Sequence, residues 1–134
     1  MGFFGFVEPA NGKLITVEYN SSEHREFIEA IGRMVSEYGT EKKILMILDN
    51  VSSHHKAQKV IECNGLYKNV TFLYLPTYSP DYNPIERVWR ITRKEQTHNR
   101  FFSGLVELRA TLTKYFEKFL TANAKLSSLC ATLI

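Results

Sequence analysis

The chain has 134 residues, a length that suits one domain with a core of its own. Hydrophobic residues make up 44% of it and aromatic residues 13%, which excludes a disordered chain. The formal net charge of +3 permits a nucleic-acid partner without requiring one, so local clustering of basic residues must decide.

Membrane insertion and disulfide bonding are not expected. The apolar start of the chain is short and lacks a basic segment before it, so it is interpreted as a strand and not as a signal peptide. No apolar run approaches the length of a membrane span. Cys63 and Cys130 have no motif spacing around them, which favours reduced thiols in a cytoplasmic protein.

The first elements predicted in the chain are a hairpin and a helix. Two β-like runs, 2–7 and 13–19, flank Asn11-Gly12, a strong hairpin signal. Apolar and polar residues alternate in the second run, so one of its faces should be more buried. Asn20 is predicted to cap the next helix, together with Glu23. Gly39 should end that helix, and its apolar stripe comprises Phe27, Ile28, Ile31, Met34, Val35 and Tyr38.

A strand–helix–strand unit follows. Five consecutive apolar residues, 44–48, predict a strand covered on both faces, as in a parallel sheet. A helix is predicted from His54 to Asn64, ending at Gly65, and a second apolar strand over 70–75. The unit should be a right-handed crossover with parallel strands. Asp49 would then lie at the carboxyl end of the first strand, where open α/β sheets bind their ligands.

The last third of the chain is predicted to be helical. Asn83 should cap a helix that has Pro84 in its first position, with an inner face of Ile85, Val88, Trp89 and Thr92. The segment 98–102 should end that helix, and Ser103 should cap the next one. The apolar stripe of this second helix comprises Leu105, Leu108, Leu112, Tyr115, Phe116 and Phe119. The tail, 122–134, is apolar and has no clear pattern.

Two carboxylates are the leading candidates for chemistry. Asp49 could bind a hard cation such as Mg²⁺ through oxygen, although an Asp at the end of a strand can equally be a turn or cap residue. Glu86 stands at the third helical position after Asn83, which also suits a capping box. The two readings of Glu86 are compatible, because a cap fixes the start of the side chain and the helix N-terminus favours its ionised form.

Basic and aromatic residues near these acids have competing interpretations. Arg87, Arg90 and Lys94 recur at spacings of three and four, so they should line one helix face, with Arg93 and Arg100 close by. Phosphate contact and a solvated charged face are both open for this cluster. His54 could orient a ligand or simply be solvated. His55 has no better claim, Trp89 is expected in the core, and residues 78–80 should shape a turn.

These motifs resemble the DDE-superfamily transposases, most closely the bacterial and archaeal insertion-sequence branch related to mariner-type elements. The resemblance is carried by Asp49-Asn50 with His54 after it, and by the string 75–89, LPTYSPDYNPIERVW. It implies an RNase H-like mixed sheet flanked by helices, within a single domain over 1–134. It also implies DNA transposition by strand cleavage and strand transfer, in which three carboxylates hold two Mg²⁺ or Mn²⁺ ions.

The resemblance also assigns roles to individual residues. Asp49 and Glu86 match the second and third acids of the family, and Asn50, His54 and Asn83 match positions that shape the site. DNA is the implied partner, through the basic residues named above. No membrane partner and no small-molecule substrate are expected.

Two family features have no match in the sequence. The first Asp and its strand, like the family's DNA-end recognition region, have no counterpart here, so a catalytic-domain fragment with weak or no nuclease activity is expected. The gap in the sheet should be repaired by sliding of the hairpin or, as the preferred hypothesis, by a homodimer. A non-catalytic DNA-binding remnant and a transposase-assembly module remain alternatives.

Overall fold

The computed structural model describes residues 2–21, 23–77 and 83–131, with the side chains of 129–131 excepted. The chain divides into two compact units. The first unit comprises residues 1–4 and 17–83, and the second comprises residues 5–16 and 84–134. The expectation of one domain over the whole chain stays a prediction, and the turn expected at 78–80 lies outside the described residues.

A two-stranded sheet of β1 (Gly2–Glu8) and β2 (Lys13–Tyr19) forms the predicted hairpin. Gly12 closes its turn with φ +77°, a conformation that L side chains rarely adopt, and its N–H donates to the carbonyl of Glu8 at 2.8 Å. Ile15 and Val17 are buried as expected. Thr16 and Glu18 between and after them are half-buried, as the predicted alternation requires, and Leu14 before them is fully buried as well.

Helix α1 (His24–Tyr38) follows the hairpin. Four residues of the predicted stripe are buried and two, Ile28 and Tyr38, are half-buried. Its N-cap is Glu23 without a side-chain cap bond, so the prediction that Asn20 caps this helix is wrong. The first turn is instead joined to the preceding chain by Glu26, whose carboxylate accepts the N–H of Ser21 at 2.8 Å. Gly39 ends the helix with φ +86°, as predicted.

The predicted strand–helix–strand unit is present. Strands β3 (Ile44–Leu48) and β4 (Val70–Tyr74) pair in parallel, with Leu48 opposite Tyr74. Helix α2 (Ser52–Cys63) connects them and packs on α1. It begins two residues before the predicted start, so His54 is its third residue, and Gly65 follows its end with φ +63°.

The sheet formed by β3 and β4 is covered on one face only. Met46 and Leu48 are buried, whereas Leu45 and Ile47 on the same strand are 60% and 47% exposed. Leu73 on β4, which pairs with Ile47, is 50% exposed. The prediction that β3 is covered on both faces is therefore wrong. A continuous apolar run identifies the strand but does not report what packs on each face.

Within the described ranges, no ladder of hydrogen bonds joins the β1–β2 sheet to the β3–β4 sheet. The structure is therefore an α/β protein with two small sheets, and the predicted repair by sliding of the hairpin onto β3 is wrong. Pairing with a second copy of the chain stays a prediction. None of the helices that the structure describes is long and apolar enough to cross a membrane.

The second unit contains α3 (Pro84–Thr92), a π-helical segment (Arg93–Thr97), α4 (Leu105–Glu117) and α5 (Ala124–Ala131). Helix α3 begins at Pro84 as predicted and buries Val88 and Thr92. Trp89 is half-buried and meets the ring of Phe116 edge-on at 5.8 Å, which supports its expected place in the core.

Two predictions for the C-terminal helices need correction. Helix α4 has Gly104 as its N-cap, and Ser103 before it donates its N–H and hydroxyl to Glu107 at 2.7 and 2.6 Å. Leu105, predicted in the apolar stripe, is 63% exposed, while Tyr115, Phe116 and Phe119 are buried as expected.

The tail that looked unpatterned in sequence contains helix α5. Leu126 in this helix is fully buried, and its N–H donates to the side-chain oxygen of Asn123 at 3.1 Å. Asn123 also donates its own N–H to the carbonyl of Asn11, and Ser127 donates its hydroxyl to the carbonyl of Ala10 at 3.1 Å. The hairpin turn and the tail thus hold each other in place.

Candidate metal and nucleic-acid site

Asp49 directly follows β3, at the carboxyl end of the parallel strand pair, as the sequence predicts. Its side chain is half-buried. The amide nitrogen of Asn83, a residue only 6% exposed, donates to Oδ1 of Asp49 at 3.1 Å. Between residues of the described ranges, no other hydrogen bond to this carboxylate is present, so Oδ2 can accept a further ligand.

The main chain of Asp49 is also held. Its carbonyl accepts the N–H of Val51 at 3.0 Å and lies 2.9 Å from Nδ1 of His54. A carbonyl can only accept, so Nδ1 must carry the proton. The His54 ring stacks on Phe27 at 4.5 Å. Burial lowers the pKa of His54 below its ordinary value, although the hydrogen bond to the Asp49 carbonyl and the charge of Asp49 oppose the shift.

A second set of contacts surrounds Asn50. Its side-chain oxygen lies 2.6 Å from Nε2 of His55, and its amide donates to the hydroxyl of Thr77 at 3.4 Å. The His55 ring stacks on Tyr74 at 4.0 Å. The Tyr74 hydroxyl in turn donates to the side-chain oxygen of Gln58 at 2.6 Å. The side chain of Asn50, which is exposed, therefore has a hydrogen-bond partner on each side.

Sequence reasoning missed His55 and Tyr74 as part of this cluster. One signal was available for Tyr74, because in a parallel pair the last residue of β4 must lie beside the last residue of β3, next to Asp49. Nothing in the sequence distinguishes His55 from an ordinary solvated histidine.

The alternative reading of Asp49 as a helix cap is not seen. The N-cap of α2 is Val51, without a side-chain cap bond, and the Asp49 carboxylate interacts with Asn83 instead. The first unit thus brings together Asp49, Asn50, His54 and Asn83, all four of which the sequence had singled out.

Glu86 belongs to the second unit, where it is half-buried in the first turn of α3. An acid there is favoured by the partial positive charge of a helix N-terminus. The basic residues follow it along the chain. Arg87 is half-buried, and Arg90, Arg93 and Lys94 are exposed.

The common face of Arg87, Arg90 and Lys94 stays a prediction. Helix α3 ends at Thr92, and the π-helical segment has wider turns, shown by the bond from the N–H of His98 to the carbonyl of Arg93 at 2.7 Å. Arg87 and Arg90 thus lie within α3, and Lys94 lies in the π-helical segment that follows it.

Arg100 has a guanidinium that is already engaged by local groups. It donates to the carbonyl of Gln96 at 3.2 Å and lies over the ring of Phe102 at 5.1 Å. A phosphate contact through Arg100 would compete with these local interactions.

The donor chemistry of the first unit suits a hard divalent cation. Asp49 offers a carboxylate oxygen, and Mg²⁺ is commonly bound by one or two carboxylates with water completing its shell. No group of three or more His, Cys, Asp or Glu side chains able to hold a metal converges in the part of the chain that the structure describes. The fit therefore concerns the type of ligand and not a complete ligand set.

Comparison with known proteins gives a family and two curated relatives. Residues 1–109 match the family described as DDE superfamily endonuclease. Over 115 residues the chain is 29% identical to the "Insertion element IS630 uncharacterized 39 kDa protein" of Shigella sonnei, covering 84% of this chain and 33% of that protein. It is 30% identical over 102 residues to the "Uncharacterized protein y4pE/y4sA" of Sinorhizobium fredii, covering 74% of this chain and 70% of the relative.

The chain thus spans about a third of the length of the insertion-element protein. No solved structure matches it significantly. The family match covers most of the sequence, including β3, α2, β4 and α3, and both candidate acids. The chain belongs to the DDE superfamily endonuclease family.

Proposed function

We propose that this chain is part of a transposase that moves an insertion element by cutting and rejoining DNA. The observation that carries the proposal is the family match over residues 1–109, which includes both candidate acids. The similarity to an insertion-element protein supports the same role. Weak or absent cleavage by the isolated chain stays a prediction, because only two of the family's three acidic positions have a matching residue.

In this proposal Asp49 and Glu86 are ligands for Mg²⁺ or Mn²⁺. Asp49 contributes the carboxylate oxygen that the Asn83 amide leaves open. The divalent ions of the family supply activation of a water or 3′-hydroxyl and stabilisation of the leaving oxygen. Asn50, His54 and Asn83 fix the loop that carries Asp49.

An RNase H-like arrangement is part of the same proposal. It is supported by the order of elements, a β hairpin followed by a helix and then a parallel strand–helix–strand unit with the acid after its first strand. The hydrogen-bonded join between the two sheets that this arrangement requires is not present in the described residues. A partner copy of the chain is one proposed way to complete it.

Metal binding by the chain itself is the first test. Titration with Mn²⁺, followed by calorimetry, should give a signal that is abolished in Asp49→Asn and in Glu86→Gln. Glu37→Gln and Glu117→Gln are matched controls, since they remove exposed carboxylates near the ends of α1 and α4. Equal Mn²⁺ binding by all four variants and the unchanged chain would refute the assigned ligands.

DNA contact is tested separately. Affinity for a DNA duplex should fall with rising salt, and Arg93→Gln with Lys94→Gln should reduce the slope of log affinity against log salt by roughly 0.9 for each phosphate that is no longer neutralised. Lys56→Gln with Lys59→Gln is the control, removing two exposed charges from α2. If the two pairs of substitutions have the same effect, the basic residues after α3 have no special role.

A further inference from the structure

We propose that His54 and Asn83 act together as a two-point clamp that positions Asp49 for a divalent cation, an inference that rests on the proposed function. His54 holds the main-chain carbonyl of Asp49 at 2.9 Å, and Asn83 holds its carboxylate at 3.1 Å. His54 fixes the position of the Asp49 main chain, and Asn83 fixes the orientation of the Asp49 carboxylate. Both are positioning residues, because neither is itself assigned as a ligand.

The hydrogen bond from Asn83 can orient the Asp49 carboxylate. Asn83 is 6% exposed, so its amide is held in place by its surroundings and does not move freely in solvent. Its nitrogen binds Oδ1 and leaves Oδ2 for a cation. Hydrogen bonds of this kind orient metal-ligating carboxylates, and removing them commonly costs about 10-fold to 100-fold in metal affinity.

The main-chain contact is equally constrained. The His54 ring is stacked on Phe27 at 4.5 Å, which limits its rotation. The Tyr74 hydroxyl, on the β4 residue opposite Leu48, donates its proton to Gln58 and lies 3.4 Å from the carbonyl of His54. Its Nδ1–H therefore meets the Asp49 carbonyl from a ring that packing has already oriented. Supporting contacts of this type decide whether a ligand is held closely enough to bind.

The same contacts would be present if His54 and Asn83 only stabilised the fold. The tests must therefore distinguish stabilisation of the fold from positioning of a metal ligand. His54→Asn keeps a donor near the position of Nδ1, whereas His54→Phe keeps a ring on Phe27 but has no donor. We expect His54→Phe to weaken Mn²⁺ binding about tenfold and His54→Asn to stay within roughly threefold of the unchanged chain. Equal Mn²⁺ affinities for the two variants, both folded by circular dichroism, would overturn the main-chain half of the clamp.

The His54 tautomer gives a readout that needs no metal. Long-range ¹H–¹⁵N correlation spectra distinguish a proton on Nδ1 from one on Nε2. The clamp requires Nδ1–H, since the partner is a carbonyl. A spectrum showing Nε2–H for His54 near neutral pH would rule out this half of the clamp.

A reciprocal exchange tests the carboxylate half. Asp49→Asn and Asn83→Asp each remove the amide–carboxylate pair, and each should lower the melting temperature Tm. The double variant restores the pair in reverse and should recover at least half of the summed decrease, because interacting residues are not additive. Simple additivity of the two shifts in Tm would overturn the Asn83 contact.

The same variants distinguish failure of the clamp from failure of the proposed function. If the unchanged chain binds Mn²⁺ no better than Asp49→Asn, the assigned metal site is wrong, and the clamp has no metal role whatever the thermal results. If Mn²⁺ binding depends on Asp49 but the Tm shifts add and His54→Phe binds normally, the proposed function stands and the clamp is wrong. If the double variant has a restored Tm and no longer binds Mn²⁺, the result supports both the clamp and the proposed function.

Discussion

Each unit contains a cluster of polar contacts, around Asp49 and Asn50 in the first and around Glu95 in the second, and the two clusters serve different purposes. In the first unit, His54 and Asn83 both bind Asp49, and His55 and Thr77 both bind its neighbour Asn50. In the second unit, polar side chains join separate elements to one another. Tyr115 of α4 donates to Glu95 of the π-helical segment at 2.8 Å, and Lys125 of α5 forms an ion pair with the same carboxylate.

This difference separates groups that orient a site from groups that hold a fold. Removing the contacts that converge on Asp49 and Asn50 should change ligand binding more than it changes stability. Contacts and packing between helices should behave in the opposite way.

The largest expected effect is on the packing of α5. Leu126 is fully buried, so Leu126→Ala should lower the free energy of unfolding of the second unit by about 2–5 kcal/mol. Leu120, which is 47% exposed, is the matched control and should cost less than about 1 kcal/mol when replaced by Ala. Urea denaturation measures both.

The Leu126→Ala variant, where it is folded, should leave the contact between His54 and Asp49 unchanged, since both residues are in the other unit. A cost for Leu126→Ala no larger than for Leu120→Ala would mean that α5 is not packed in solution. The proposal that contacts in the second unit mainly stabilise the fold would then be wrong for α5.

The two faces of β3 should differ in their tolerance of truncation. Leu48 is 5% exposed and Leu45 is 60% exposed, and both are leucines of the same strand. Leu48→Ala should cost about 2–4 kcal/mol, whereas Leu45→Ala should cost less than about 1 kcal/mol. Thermal or urea unfolding of the two variants gives the comparison.

The same pair of variants bears on self-association. An equal cost for Leu45→Ala and Leu48→Ala, combined with a Tm that rises with protein concentration, would mean that a second copy covers the exposed face. Light scattering at micromolar concentration measures the mass directly. A mass of one chain would contradict the homodimer prediction.

Local patterns were sufficient for most individual elements of the fold. The Asn11-Gly12 turn, the stop at Gly39 and the strand ending before Asp49 depend on residues that act within a few positions, and each is present. Membership of the family also followed from residues that can be read in the sequence. Roles of the individual site residues stay predictions.

The misses have a common physical origin, which is contact between residues distant in sequence. Helix α5 is stabilised by the hairpin turn more than a hundred positions away, through Ser127 and Ala10, and no local pattern reports this. The exposed face of β3 depends on what packs against Leu45, which an apolar run cannot specify. His55 is positioned by stacking on Tyr74, a residue of a different element, and its own neighbours in sequence do not indicate this.

The smallest predicted effect is a pH dependence at Glu95. Hydrogen bonds from Lys125 and then Tyr115 hold the pKa of Glu95 below its ordinary value. The folded chain therefore binds this proton less readily than the unfolded chain does. The stabilisation is present above the unfolded pKa of about 4.5 and disappears as the pH falls through the lower folded pKa.

Because Glu95 is exposed, its contribution should be less than about 1 kcal/mol and should weaken with salt. Glu95→Gln should lower Tm at pH 7 and make a smaller difference at pH 3, where more of the carboxylate is protonated. Glu117→Gln, which removes another exposed carboxylate, should lower Tm less at pH 7. If the gap between Glu95→Gln and the unchanged chain is the same at both pH values, the ion pair with Lys125 contributes nothing, and the second unit is held by packing alone.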